Sequence, residues 1–290
     1  MLSIIICSRQ AILNNNLTVN IKKTIVCDHE LIIIDNSKNM YSIFEAYNLG
    51  IEKSKSNYLC FIHDDILFHT IGWGNIVNRL FNENEQIGLI GVAGAKSKTK
   101  MPSAWWECPK EHKVIRIIQH FPNNSKKKWE LGFENRQNEE VVAIDGVFMA
   151  MRKDKHIHFN TKMTGFHNYD LNISLDYKKL GYKIIVTNEI LIEHFSLGTL
   201  NKSWYESTSL FHKLYKNYLP LNLSGQDIYL YSINREFNLG LSFITKLIEQ
   251  KLYWDAIYWW FKIFKLKPKG KYHYRFWKRI FKNYLNLKNG

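Results

Sequence analysis

The residues with the clearest capacity for chemistry are His63-Asp64-Asp65, which directly follow the apolar run 58–62. Hard divalent cations such as Mg²⁺ and Mn²⁺ prefer oxygen ligands and often bridge a protein carboxylate to phosphate groups. Two adjacent carboxylates after a buried run are therefore typical of a cation site. The same pair is compatible with an ordinary turn, because aspartate is common in turns.

Ser8 and Asp35 occupy the same kind of position after two other apolar runs, residues 2–7 and 30–34. Short continuous β-branched runs are typical of strands that are buried on both faces of a sheet. In open parallel sheets, ligands bind beyond the carboxyl ends of the strands. We therefore predict that Ser8, Asp35 and Asp65 lie at one edge of a sheet, around a shared crevice.

The segments between and after these runs predict a parallel sheet flanked by helices. Apolar residues recur at helical spacing in residues 41–53 and 73–81, which gives the order β-α-β-α-β and favours an α/β fold. Regular patterns return later in the chain, with a helix ended by Gly181. We predict strands at 87–93, 141–151, 182–187 and 190–194 and a helix at 169–180.

Residues 95–140 lack a clear periodic pattern and are rich in Lys, Asn, Pro and Trp. We predict a long irregular insertion here, and long loops in compact domains usually act as lids or binding loops. Its Trp105-Trp106 pair either contacts a ligand through the aromatic faces or covers an edge of the core.

Several sequence blocks occur in an order that is found in a known family. Four come from the first strands and the helix between them, and four come from the second half of the predicted sheet. They are residues 3–9, 32–37, 46–51 and 57–65, followed by 144–150, 165–170, 181–184 and 193–199. Taken together, they resemble the family 2 glycosyltransferases of the GT-A (Rossmann-like) fold, most closely the subgroup with a domain like that of the streptomycin-biosynthesis protein StrF. The resemblance implies a catalytic domain over residues 1–205 and leaves 206–290 as a helical appendage.

The resemblance also implies a metal site and a donor site. The family's Asp-x-Asp metal motif falls on His63, Asp64 and Asp65, so that Asp65 is the expected metal ligand and His63 departs from the pattern. His194 is expected to approach the metal or the diphosphate. The residues expected to bind the nucleotide or the donor sugar are Ser8, Arg9, Asp35, Asn36, Asn48, His63, Asp64, Asp145, Gly146 and Lys202.

The catalytic base of inverting members falls on Asp170, which would take the proton from the acceptor hydroxyl. Tyr169 replaces the glutamate of the family's Glu-Asp motif. Asp170 is also a suitable N-cap for a helix beginning near Leu171, and the two roles are compatible. For the acceptor we expect Trp105, Trp106 and His167.

The function implied by the resemblance is transfer of a sugar from a nucleoside diphosphate donor to a saccharide or lipid-linked acceptor. The transfer would be inverting, would use Mn²⁺ or Mg²⁺, and would serve cell-surface polysaccharide or glycoconjugate synthesis. One alternative is a catalytically inactive sugar-nucleotide-binding relative, because His63 and Tyr169 depart from the pattern. A nucleotidyltransferase would normally carry a Gly-rich phosphate loop after the first strand, and residues 8–11 lack one.

The tail from Lys251 to Gly290 carries most of the net charge of +14, because it has eleven Lys or Arg against Asp255 alone, a balance of +10. Apolar residues form one stripe in residues 251–266 and another in 275–287, the second with Phe276, Ile280 and Tyr284. A basic, aromatic amphipathic helix is typical of an anionic membrane surface, and a helical appendage packed on the protein is the alternative. A basic nucleic-acid-binding protein is a further alternative, but without a recognised motif no nucleic-acid partner is expected.

The start of the chain has no basic n-region and no small-residue cleavage site, and no apolar stretch reaches the roughly 20 residues that cross a bilayer. We therefore expect a cytoplasmic protein, peripheral at the inner face of the plasma membrane. The four cysteines (Cys7, Cys27, Cys60 and Cys108) lack metal-type spacing and would be reduced thiols there.

Overall fold

The computed structural model describes residues 1–123, 125–223 and 233–288, with side chains up to residue 282 in the last helix. The chain forms two compact units. The first contains Met1–Lys98, Trp105–Thr199 and a short strand at Leu221–Asn222. The second contains Thr99–Ala104, Leu200–Pro220 and the helices from Ile233 onward.

All strands of the described residues belong to the first unit. They are β1 Leu2–Ser8, β2 His29–Asp35, β3 Tyr58–Ile62, β4 Ile66–Phe68, β5 Ile87–Gly91, β6 Ala93–Ala95, β7 Ser97–Lys98, β8 Lys113–His120, β9 Lys126–Leu131, β10 Asn138–Val141, β11 Ala143–Ile144, β12 Phe148–Arg152, β13 Lys183–Thr187, β14 Ile192–His194 and β15 Leu221–Asn222. The helices of the first unit are α1 Asn15–Thr24, α2 Ile43–Lys53, α3 Trp73–Glu83 and α4 Tyr169–Lys179.

The main sheet has seven strands in the order β10-β13-β5-β12-β3-β1-β2 within the described residues. β2, β1, β3, β5 and β13 run in one direction, whereas β12 and β10 run against their neighbours. The expected α/β class with a sheet flanked by helices is thus confirmed, whereas the sheet is mixed, with three of its six strand pairs antiparallel. The runs predicted as strands at 2–7 and 58–62 are buried, as expected for central strands.

Two local expectations for the main sheet differ from the structure. β2 is an edge strand with mostly part-exposed side chains, and Ile33 is 39% exposed, so this run is not buried on both faces. Helix α1 was not predicted, because only Leu17, Ile21 and Thr24 of its ten residues are buried and the rest are largely polar. Such a narrow apolar stripe gives a weak periodic signal.

Residues 95–140 are not an irregular insertion, because they contain β7, β8, β9 and most of β10. β8 lies in a second sheet of order β11-β6-β8-β14-β4, with β9 paired to its side. The alternation of buried and part-exposed side chains in β8 is that of a strand with one face in the core. Polar residues on the other face concealed this pattern, and a lid role for the segment stays a prediction.

The second unit consists of helices α5 Lys202–Leu214, α6 Ile233–Glu249, α7 Tyr253–Leu266 and α8 Lys271–Lys288. Its core includes Ala256, Trp259 and Ile263 of α7 and Phe276 and Ile280 of α8, as the two predicted stripes require. Tyr284, predicted for the second stripe, lies outside the described side chains.

The predicted domain boundary between residues 205 and 206 falls inside α5, and the chain leaves the first unit at Thr199 instead. A helix is a cooperative element, so a boundary in the extended segment before it is physically more natural. Among the helices of the described residues, none combines the length and hydropathy needed to cross a bilayer.

Candidate functional site

The ends of β1, β2 and β3 lie side by side at one edge of the main sheet. Ser8 of β1 is directly paired with Asp35 of β2, and the backbone N–H of Arg9 donates to Asp64 Oδ2 at 3.0 Å. The structure therefore brings the ends of these three strands together, as the sequence predicts.

Three side chains beyond β3 converge on one point: His63, Asp65 and His194. His63 Nδ1 lies 3.4 Å from His194 Nε2 and 3.8 Å from Asp65 Oδ1, and His194 Nε2 lies 3.5 Å from the same oxygen. In the described residues this is the one group of three potential ligand atoms that converges closely enough to hold a metal ion. We call it the metal triangle.

Strand pairing explains why His194 joins residues that are so distant in sequence. β14 pairs antiparallel with β4, so that His194 lies opposite Ile66, the residue after Asp65. On its other side β14 pairs parallel with β8, which brings Gln119 next to His194. The backbone N–H of Phe195 donates to the carbonyl of Asp65 at 3.1 Å, which holds the two segments in register.

Both imidazole rings of the metal triangle have a partner on the nitrogen that faces away from it. His194 Nδ1 lies 3.0 Å from Oε1 of the buried Gln119, and His63 Nε2 lies 2.6 Å from the Tyr169 hydroxyl. With the proton on the outer nitrogen, each ring presents a lone pair to the triangle. Such outer partners fix the tautomer and orientation of metal-binding histidines.

The ionisation of these groups suits a cation. Burial would raise the pKa of Asp65, but hydrogen bonds that it accepts from Ser196 and, when Nε2 of the ring carries the proton, from His194 lower it more, so the net shift is well below its usual range. Burial, followed by repulsion from His194, lowers the pKa of His63. An ionised carboxylate and a neutral imidazole are the forms that bind metals.

The spacing of the metal triangle fits a divalent ion. Two ligand atoms about 2.1 Å from an ion, at an angle of about 90 to 110°, are about 3.0 to 3.5 Å apart. The three distances of 3.4, 3.5 and 3.8 Å lie close to this range. Two imidazoles and one carboxylate favour a first-row transition ion such as Mn²⁺ over Mg²⁺, which prefers oxygen.

Asp64 does not join the metal triangle and instead binds Arg9. Its two oxygens accept from Nη2 of Arg9 at 2.7 Å and from Nε at 3.3 Å. The same Nη2 lies 3.4 Å from Asp65 Oδ2, while the Arg9 side chain as a whole stays 70% exposed. Ser8, Arg9, Asp64 and Asp65 line a cavity of 320 Å³ beside the metal triangle.

Asp170 lies in the first turn of α4, two residues after the N-cap Asn168, so it is not the N-cap of this helix. Its side chain is partly buried, and this burial, together with the charge of Asp145, raises the pKa of the carboxyl group to about 7. A carboxylate with a pKa near neutrality is suited to general base catalysis. The neighbouring Tyr169 is the partner of His63, which connects α4 to the metal triangle.

Asp145, Gly146 and Trp105 form the wall between β11 and α4. Trp105 Nε1 donates to Asp145 Oδ2 at 2.8 Å, and the backbone N–H of Val147 donates to Oδ1 at 2.9 Å. A Cβ atom on Gly146 would be 2.2 Å from the Tyr169 hydroxyl, so only glycine leaves room for that side chain. Trp105 is buried, whereas Trp106 is 40% exposed.

The remaining predicted donor residues have other contacts in the structure. The amide of Asn36 hydrogen-bonds both backbone groups of Tyr41, and the amide of Asn48 hydrogen-bonds both backbone groups of Phe159. Asp35 is exposed and accepts from the backbone N–H of Ser37 at 2.9 Å. Asn36 and Asn48 thus hold loops closed, and their role in donor binding stays a prediction.

Two further predicted residues lie just before α4 and at the start of α5. His167 is half-buried, and this burial lowers its pKa. Lys202 begins α5 in the second unit, where its Nζ lies 3.9 Å from Glu206. Acceptor binding by His167 and diphosphate binding by Lys202 stay predictions.

Sequence reasoning missed Gln119 and Tyr169 as functional side chains and treated His63 as a donor contact. Gln119 lies in the segment predicted to be irregular, where the alternating pattern of residues 113–120 was the available signal. Tyr169 was recorded only as a departure from the family motif. His63 and Tyr169, the two residues that differ from the family motifs, contact each other, which only the three-dimensional structure shows.

Comparisons with known proteins identify a family. A model of the Glycosyltransferase like family matches residues 3–218, and no curated protein matches the chain. Among 146 matching chains of solved structures is that of GalNAc-T7 with UDP, GalNAc and Mn²⁺, with a TM-score of 0.49 and 9% identity. The alignment covers 75% of this chain and 47% of that one, so this chain spans about half of its length. A197 from STIV matches with a TM-score of 0.39 and 13% identity over 68% of this chain and 86% of that one.

The family match runs from the first strand to the segment after α5 and covers about three quarters of the sequence. It confirms the predicted resemblance to glycosyltransferases and, with the sheet order, the GT-A fold class. The narrower likeness to the StrF subgroup stays a prediction. Because this match covers well over half of the chain, we conclude that the chain belongs to the glycosyltransferase-like family, whose broad activity is sugar transfer.

Proposed function

We propose that this protein transfers a sugar from a nucleoside diphosphate donor to a hydroxyl group of a saccharide or lipid-linked acceptor, with inversion at the anomeric carbon. The observation that carries the proposal is the connection of Asp170, with its pKa near 7, to the metal triangle through Tyr169 and His63. A direct displacement requires a base and a diphosphate-binding group at one site, and Asp170 directly follows the residue that hydrogen-bonds His63.

In this mechanism His63, Asp65 and His194 would hold the divalent ion, and Gln119 and Tyr169 keep the two rings in place. The chemistry that such an ion supplies is neutralisation of the negative charge on the diphosphate leaving group. Arg9 pairs with Asp64 and Asp65, and most of its side chain is exposed, so it is in a position suited to bind a phosphate oxygen. We assign the nucleobase to the crevice lined by Ser8 and Arg9, next to Asp35.

Asp170 accepts the proton of the acceptor hydroxyl while that oxygen attacks the anomeric carbon. The new carbon–oxygen bond forms as the bond to the diphosphate breaks, and the electron pair leaves with the nucleoside diphosphate. Attack from the face opposite the leaving group inverts the centre. Asp145, held by Trp105, is suited to accept hydrogen bonds from sugar hydroxyls, and the exposed Trp106 ring is suited to stack on an acceptor sugar.

Release of the nucleoside diphosphate from a panel of sugar nucleotides, measured with Mn²⁺, Mg²⁺ or chelator, tests this proposal. We expect turnover that requires a metal and is faster with Mn²⁺ than with Mg²⁺. A thermal-shift screen of the same panel identifies the donor, because a ligand of the folded state raises its stability. Metal-dependent binding without turnover would instead support the inactive sugar-nucleotide-binding relative.

Contact between His63 and Tyr169 supports an active enzyme over an inactive one. Both residues replace the family's acidic residues, and together they form a hydrogen bond that orients a metal ligand. Loss of function usually leaves polar substitutions without a matched partner, whereas these two are complementary. A role in polysaccharide or glycoconjugate synthesis follows from the proposed acceptor class and is part of the same proposal.

We further propose that the protein works in the cytoplasm at an anionic membrane surface, through its second unit. Trp254 is 86% exposed and Phe261 52% exposed on α7, and Tyr274 and Phe281 are exposed on the basic α8. Aromatic rings among lysines are typical of interfacial helices. Sedimentation with vesicles should show binding to anionic lipids that weakens with salt, and equal binding to zwitterionic vesicles would contradict it.

A further inference from the structure

A cavity of 440 Å³ lies wholly within the helical second unit and has no role in the mechanism above. Its volume is that of a small-molecule site. Its walls come from the segment after Thr99, from α5 and the turn after it, and from α6 and α7. The lining residues are Lys100, Met101, His212, Lys216, Asn217, Pro220, Glu236, Tyr258, Trp259, Lys262, Lys265 and Leu266.

The polar lining of this lysine cavity carries a surplus of positive charge. Lys100, Lys216, Lys262 and Lys265 form no ion pair with any carboxylate of the described residues. The one acidic group of the lining, Glu236, accepts from the backbone N–H groups of Lys100 and Met101 at 2.8 and 2.7 Å. Glu236 is therefore committed to the backbone and does not pair with the ammonium groups.

The floor of the lysine cavity is apolar or internally satisfied. Trp259 and Met101 are almost fully buried, and the indole N–H of Trp259 donates to Ser209 Oγ at 2.8 Å. His212 is buried, with Nδ1 at 3.0 Å from the carbonyl of Lys100. The groups left to bind a ligand are therefore the lysine ammonium groups, of which Lys262 lies 5.2 Å over the Tyr258 ring, beside the apolar floor. This combination selects an anion that also has an apolar part.

The exposed face of α7 continues this pattern outside the lysine cavity. Phe261 and Lys265 follow Trp254 by 7 and 11 residues, which is about two and three helical turns. The three side chains therefore lie on one side of the helix. Trp254 and Phe261 are exposed, whereas Lys265 lines the cavity. An apolar surface thus adjoins a cationic rim along the same helix face.

We propose that the lysine cavity binds a lipid phosphate, with the phosphate or diphosphate group among the lysines and the apolar chain along Trp254 and Phe261. Lysine ammonium groups bind phosphate as strong point charges. A volume of 440 Å³ holds one headgroup and excludes a nucleic-acid strand. The inference is independent of the sugar-transfer proposal, because the cavity lies in the other unit of the chain.

Binding of three soluble probes to the full chain tests this inference. The probes are farnesyl diphosphate, dihexanoyl phosphatidic acid and inorganic diphosphate, and the dissociation constant is measured by calorimetry. The test variant is Lys262→Glu/Lys265→Glu, and the matched control is Lys271→Glu/Lys278→Glu, which makes the same charge change at exposed positions of α8 outside the cavity. Melting temperatures of both variants check folding.

We expect at least one lipid probe to bind the wild type and to lose at least about tenfold in affinity in the test variant, with the control nearly unchanged. Trp254→Ala/Phe261→Ala should weaken the lipid probe and leave inorganic diphosphate unaffected. Preference for farnesyl diphosphate identifies an isoprenoid carrier as the source, and preference for phosphatidic acid identifies a membrane phospholipid.

Three results would overturn the inference. The first is equal affinity of the lipid probes for the wild type and the test variant. The second is inorganic diphosphate that binds as tightly as farnesyl diphosphate, because the apolar chain would then contribute nothing. The third is displacement of the lipid probe by a nucleoside diphosphate, because the probe would then occupy a nucleotide site.

Discussion

Two clusters of histidine and carboxylate lie on opposite faces of β14, and they differ in whether their ligand atoms converge on a place for a metal ion. His194 points into the metal triangle, whereas its neighbour Glu193 points to the other face, as successive residues of a strand do. Glu193 accepts from His69 at 2.7 Å, from His120 at 2.6 Å and from Lys126 at 3.1 Å. In the metal triangle the ligand atoms face one another instead.

The electrostatics of the two clusters are superficially alike. Burial would raise the pKa of Glu193, but hydrogen bonds from His120, His69 and Lys126 lower it to about 2. The pKa of Asp65 is lowered in the same way. A lysine ammonium already satisfies Glu193, so no place remains for a metal ion. A perturbed pKa alone therefore does not identify a site; converging lone pairs do.

The strongest test of this comparison removes the carboxylate of the metal triangle. Asp65→Asn should lower metal-dependent turnover about 10³- to 10⁴-fold, because the ion contributes several kcal/mol at the transition state. Initial rates across a Mn²⁺ titration provide the measurement. Turnover within about threefold of the wild type at saturating Mn²⁺ would contradict the metal triangle as the cation site.

Asp170→Asn should lower turnover about 10²- to 10³-fold while leaving Mn²⁺ binding intact, because it removes only the base. Since the raised pKa of Asp170 is about 7, the carboxylate forms as the pH rises through 7. The wild-type rate should therefore increase from pH 6 to 8 and then level off, and kcat profiles of both proteins check this. The same pH dependence in the variant would exclude Asp170 as the titrating base.

Gln119→Leu should weaken Mn²⁺ affinity about 10- to 100-fold, because Gln119 orients His194 without touching the ion. Calorimetric titration with Mn²⁺ measures this, and turnover at saturating Mn²⁺ should recover most of the wild-type rate. Asn20→Leu is a control of the same chemistry, since Asn20 bridges the backbone of Phe68 on a different element. An unchanged Mn²⁺ affinity in Gln119→Leu would show that His194 does not need this partner.

Glu193→Gln should leave turnover within about threefold of the wild type and lower the free energy of unfolding by about 1 to 3 kcal/mol. A carboxylate with a depressed pKa stabilises the fold above its unfolded pKa near 4.5, and that contribution is lost as the pH falls toward 2. The stability difference between the two proteins should therefore shrink from pH 5 to pH 3. Urea unfolding at several pH values measures it, and a constant difference would mean that charge is not the cause.

The sequence predicted correctly those features that depend on a single local stretch of residues. The apolar runs before Ser8 and Asp65 predicted buried strands because burial on a parallel sheet leaves a continuous signal, and the run before Asp35 predicted a strand that lies at the edge of the sheet and is only partly buried. Asp170 followed from its place in an ordered family pattern. These features depend on local sequence and need no knowledge of distant neighbours.

The rest depends on pairing between distant segments. Gln119 reaches His194 only because β8 lies beside β14, and β8 alternates apolar and polar residues in a region that otherwise looks irregular. His63 becomes a ligand only because its outer nitrogen meets Tyr169, 106 residues away. Helix α1 was missed because little of it is buried. No single stretch of sequence contains this information.

The missing side chain at Gly146 makes the residue types allowed at positions 146 and 169 depend on each other. The Tyr169 hydroxyl fills the space where a methyl group would sit, so residue 146 cannot gain a side chain while Tyr169 stays in place. A larger residue at 146 requires a smaller one at 169, and that exchange would deprive His63 of its anchor. Homologues that keep this histidine should therefore keep both the glycine and the tyrosine, whereas those with an aspartate in its place are released from both.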